Sequence, residues 1–67
     1  MKFELKSTGP KSTIEMCSII DFFNNKILEE SIGGQDDDFH SRFVVEGDDK
    51  SLSVFLSSDA ISVTLIE

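Results

Sequence analysis

Residues 12–31 read STIEMCSIIDFFNNKILEES, and the period of this stretch decides how the rest of the chain is arranged. Ser12 and Glu15 precede an apolar run at the spacing of a capping box, in which each side chain accepts from a backbone N–H at a helix start. At about 100° per residue, Met16, Ile19, Ile20, Phe23 and Ile27 share one face, widened by Ile14, Cys17 and Leu28. Glu15, Ser18, Asn25, Lys26 and Glu29 fall opposite. The pattern predicts one amphipathic helix from Ser12 to about Ser31, ended by Gly33-Gly34. Phe22 interrupts the polar face. It is either an exposed anchor for another surface or an aromatic that folds back onto Ile14 or the loop after the first strand.

Upstream, residues 2–7 alternate, with Phe3 and Leu5 on one side and Lys2, Glu4 and Lys6 on the other, which reads as a half-buried strand. Thr8-Gly9-Pro10 breaks it. Downstream, the acidic connector Gln35-Asp36-Asp37-Asp38 leads into three predicted strands at 39–46, 51–57 and 60–66. Because a one-residue slip would turn every side chain over, the apolar faces set the registers. A turn over Gly47–Lys50 places Val45 opposite Leu52, Phe43 opposite Val54 and Ser41 opposite Leu56. A turn over Ser57–Ala60 places Leu56 opposite Ile61, Val54 opposite Val63 and Leu52 opposite Leu65. The other face carries His40, Arg42, Val44, Phe55, Ser62, Thr64 and Ile66, with Arg42 across from Phe55 in cation–π position. The expected fold is a single α+β domain over residues 1–67. It has two layers in the order β-α-β-β-β, one long helix packed on one face of a four-stranded, mostly antiparallel sheet. A right-handed crossover would lay the first strand parallel to a strand of the meander, at the edge beside 39–46 or the edge beside 60–66, with 39–46 preferred.

The composition narrows the function. Six basic and 13 acidic side chains leave a net charge of −7 on 67 residues, and the 39% hydrophobic content is too high for a disordered acidic tail. One cysteine allows no intramolecular disulfide, and Cys17 with His40 alone cannot build a structural zinc site. No apolar run reaches the ~18 residues of a membrane span, and the charge-alternating start lacks a signal-peptide core. The Met start is read as that of a complete small gene product, expected in the cytoplasm. Direct nucleic-acid binding is disfavoured by the sign of the charge.

Catalytic chemistry finds no support. A nucleophilic Cys17 needs a base, and the sole candidate, His40, begins a strand on the outer face, so the two read as a packing cysteine and a surface histidine. Asp36-Asp37-Asp38 lacks the alternating ligands, glycine and distal Glu of a calcium loop, and Gly33-Gly34 lacks the residues of a phosphate cradle. No catalytic residue, metal or cofactor is expected.

The distribution of acid is more informative. Asp36 to Asp38 and Glu46 with Asp48 and Asp49 would stand at opposite ends of the second strand, roughly 25–30 Å apart at the rise of a strand. Glu15, Asp21, Glu29 and Glu30 add charge along the helix. Separated carboxylates of this kind suit a groove of Lys and Arg meant for a phosphate backbone. The leading expectation is therefore a non-enzymatic acidic inhibitor that mimics nucleic acid and occupies a basic, nucleic-acid-handling site of a larger protein. Its contacts would be Asp36, Asp37, Asp38, Asp48, Asp49 and Glu29, with Phe22 as apolar anchor. In size, charge and shape, though not in residues, such a protein is analogous to phage-encoded inhibitors of bacterial nucleases and defence complexes. The alternative is a small structural subunit or homodimer, joined through the Phe22 face or a strand edge, whose charge serves only solubility. The last strand, uncharged up to Glu67, is the edge in view.

Overall fold

The computed structural model describes residues 1–66. Glu67 lies outside them. The elements are β1 (Lys2–Thr8), α1 (Pro10–Phe22), β2 (Lys26–Gly33), a 3-10 turn at Asp36–Asp38, β3 (His40–Glu46), α2 (Asp49–Leu56) and β4 (Ile61–Leu65). The class is α+β, as expected, with one four-stranded sheet ordered β2-β3-β1-β4 and every neighbouring pair antiparallel. The order along the chain is β-α-β-β-α-β rather than β-α-β-β-β. This is the split β-α-β arrangement of ferredoxin-like folds.

Three local corrections produce that difference. The helix begins at Pro10, whose fixed φ suits the first helical position, after Gly9 at φ 93°. No capping box forms: Ser12 Oγ instead donates back to the Thr8 carbonyl at 2.7 Å. The helix also ends nine residues before the predicted Ser31. Asn24 takes a left-handed φ of 55°, its N–H bonds the Asp21 carbonyl, and the Asn25 N–H bonds the Ile20 carbonyl at 2.9 Å. That bond pair is a Schellman stop, with asparagine where glycine is usual. Lys26–Gly33 is thereby released to form a strand, and Ile27 and Leu28 leave the helix face predicted for them.

The third correction concerns residues 51–57, expected as a strand. Asp48 is an N-cap whose Oδ1 accepts from the Ser51 N–H at 3.0 Å, and this starts α2. The hairpin registers built on Leu52, Val54 and Leu56 therefore do not occur. Val45 pairs instead with Phe3 and Ile27, and Val63 pairs with Leu5. Phe55 turns inward, with its ring 5.7 Å from Phe3, so the Arg42–Phe55 contact does not form.

The first strand does lie beside 39–46, but antiparallel to it and in the middle of the sheet. The crossover through α1 delivers β2 parallel to β1 with β3 between them. Both helices cover one face, and Phe3, Leu5, Met16, Ile20, Phe43, Val45, Phe55 and Ile61 form the buried core. At one end of that face the buried hydroxyls of Ser7, Thr13 and Ser41 bond one another at 2.7–3.2 Å, which ties α1 to the two central strands. At the same end Gly34, φ 81°, closes the turn into β3. A Cβ there would collide with the Asp38 carbonyl oxygen.

Candidate binding surface

The residues expected to bind a partner, Glu29 on the middle of β2 apart, fall at two ends of the molecule. The Gly9 N–H donates to the Phe39 carbonyl at 2.7 Å, so the Asp36–Asp38 turn stands beside the start of α1. At the other end, Asn25 Nδ2 donates to Ser51 Oγ at 3.1 Å, and Gly47 closes directly on the Asn25 side chain. Phe22, Asp48 and Asp49 therefore share the end where α1 stops. The two groups are separated by the length of β3, roughly 20–25 Å at ~3.3 Å per residue, in a molecule whose longest dimension is 32 Å.

The acidic residues are not equivalent. Asp48 serves as the α2 cap, and the Ser51 N–H holds its carboxyl below the usual aspartate range. Glu29 lies on β2 with Oε1 3.4 Å from Arg42 Nη1. Arg42 also donates through Nε to Glu4 Oε2 at 2.6 Å, and Lys6 Nζ stands 3.8 Å from Glu4. These pairs neutralise much of the open face of the sheet. The Arg42 hydrogen bond is the largest cause that lowers the Glu4 carboxyl. In contrast, Glu30, Asp36, Asp37, Asp38 and Asp49 form no ion pair with any described residue. Glu15, Asp21 and Asp59 likewise have no ion pair among the described residues, so the unpaired acid lies on α1 and the loops as well as on β2, the turn after it and the start of α2.

Strands β2 and β4 are the two sheet edges. All of β2 except Gly33 is exposed, including Ile27, Leu28 and Ile32, and it is bulged between Ile27 and Glu29. On β4, Leu65 is exposed, as is Ile66 just beyond it.

Phe22 is 81% exposed and meets Phe23 edge-on, with ring centroids 5.0 Å apart. Of its two readings, the exposed one fits; the ring does not fold back onto Ile14, itself 66% exposed. Phe22 forms part of a groove of about 520 Å³ between α1 and α2, lined by Glu15, Ser18, Ile19, Phe22, Phe23 and Val54. Sequence reasoning singled out Phe22 alone. The groove needs Val54 on a helix, whereas the alternation of Leu52, Val54 and Leu56 predicts a strand.

Cys17 is exposed in the middle of α1, and partial burial, followed by the nearby Glu30 carboxylate, pushes its thiol up, away from the reactive thiolate. His40 Nδ1 donates to the Asp38 carbonyl at 2.9 Å. Among the described residues no three His, Cys, Asp or Glu side chains converge as metal ligands, and no helix is long and apolar enough to cross a membrane. Comparison of the chain with protein-family models, with curated proteins and with solved structures finds no match.

Proposed function

We propose that this chain is a non-enzymatic acidic binding protein, an inhibitor that works in the cytoplasm by occupying a basic, nucleic-acid-handling site of a larger protein. One observation carries the reading. Carboxylates without an ion pair among the described residues run from the Asp36–Asp38 turn, past Glu30 on the bare strand β2, to Asp49. Such a row offers Lys and Arg side chains the acceptors that a phosphate backbone would offer. Asp36, Asp37, Asp38 and Asp49 are the contacts, and Phe22 is the apolar anchor. Asp48 acts through the fold of α2, and Glu29 contributes only where a partner displaces Arg42.

The test is capture from host cytoplasm by the tagged protein at low and high salt, followed by competition with nucleic acid for whatever is retained. The expected result is a basic nucleic-acid-handling protein held at low salt, released at high salt, and bound at least tenfold more weakly by an Asp36/Asp37/Asp38→Asn triple variant. Equal binding by that variant overturns the reading. The bare edges β2 and β4 support a second reading, a homodimer paired edge to edge, and light scattering over a concentration series that detects only monomer removes it.

A further inference from the structure

We infer that the groove between α1 and α2 receives one amphipathic, basic helix of the partner, an inference that rests on the acidic-binder reading above and specifies its anchor. The floor follows from helical spacing: Glu15, Ile19 and Phe23 recur every fourth residue along α1, and Ile14, Ser18 and Phe22 form the adjacent outer stripe. Val54 of α2 stands across from them. The groove is thus apolar at the Phe22–Phe23 end and acidic at the Glu15 end.

Glu15 meets only the exposed Ser58 hydroxyl, at 3.4 Å, and no cation of the described chain lies within ion-pair distance of it. Charge complementarity therefore selects a cationic occupant, consistent with the net charge of −7. Along α1, the seven to eight residues from Glu15 to Phe22 and Phe23 span roughly 11 Å at ~1.5 Å per residue, about two helical turns. A partner helix lying along the groove matches both ends when a large apolar side chain and a Lys or Arg stand seven positions apart. An apolar anchor in a groove with a charged end is the helix-in-groove mode of recognition. A strand repeats its same-face side chains at about 7 and 13 Å, on either side of the roughly 11 Å between the groove's two ends.

Two synthetic peptides of identical composition test the inference, read by fluorescence anisotropy against the full chain. One places Leu at i, i+3 and i+4 and Lys at i+7 on the same face, with Lys at the remaining positions. The other is its scramble, without an apolar face. At low salt the amphipathic peptide is expected to bind at least tenfold more tightly than the scramble. Phe22→Ser and Val54→Ser, both exposed positions whose folding circular dichroism can verify, should each erase most of that difference. Equal affinity for both peptides, with steep salt dependence, overturns the helix groove and leaves the acidic reading standing. A preference for the amphipathic peptide that persists in high salt, undiminished by Glu15→Gln and by the Asp36/Asp37/Asp38→Asn variant, keeps an apolar groove but overturns both its cationic occupant and the acidic reading.

Discussion

Glu4 shows how a single residue on an exposed sheet face acquires a measurable role. It sits opposite Val44 and Thr64 on the central strand, and Arg42 reaches it from the neighbouring strand at 2.6 Å. The guanidinium favours the ionised carboxyl in the folded chain, so the Glu4 pKa is depressed below its ordinary value of 4.5. The contribution is then complete above that value. It is lost as pH falls through the ordinary value toward the lower folded one. Asp48 adds the same sign through its cap on α2. Urea-unfolding midpoints are therefore expected to hold level from pH 7 to about pH 5 and to fall below about 4.5. In Glu4→Gln that acid decline should be shallower, and an unchanged acid limb would show that the Arg42 pair contributes nothing to folding.

At the scale of elements, the decisive event is where α1 stops. Asn24, in the left-handed region at φ 55°, closes the Schellman pair, and eight residues that could have continued a helix become the edge strand β2. An alanine at that position carries a penalty of about 1 kcal/mol, so Asn24→Ala should lower stability by that amount in chemical denaturation, while Asn24→Gly should hold or slightly raise it. Equal stability of the two would remove Asn24 as the stop. The same position shows what was legible in the chain. Alternation puts Phe3, Leu5, Phe43, Val45 and Ile61 in the core, where they are found, but it puts Val54, Leu56 and Leu65 on the same face, and these are exposed. Periodicity does not mark Asn24 or Asp48, because it is a sum over many residues, whereas a cap or stop acts through one side chain or one dihedral angle. Ile27 fits a helical stripe and a strand equally well, and so does Val54. The pair of hydrogen bonds at Asn24 decides the first, and the Asp48 cap decides the second. The binding groove was illegible for the same reason, since half of it is α2.

For the whole molecule, the two ends of the chain meet in the sheet: β1 has β3 on one side and β4 on the other, and Phe3 stands opposite Leu65. Deleting residues 61–67 strips Ile61 from the core and bares one side of β1. That truncation should abolish cooperative thermal unfolding, and a sharp transition in the truncated chain would show that β4 is dispensable. The central place of β1 also bears on how the protein comes into being. Synthesis proceeds from the N-terminus at ~5–20 residues per second, so β1 is made well before its neighbour β4. Until residues 61–65 leave the ribosome, β1 lacks one of its two neighbours, and Phe3 and Leu5 lack part of their cover. Residues 61–65 thus complete the sheet, and a chain held short of them keeps an open edge on β1.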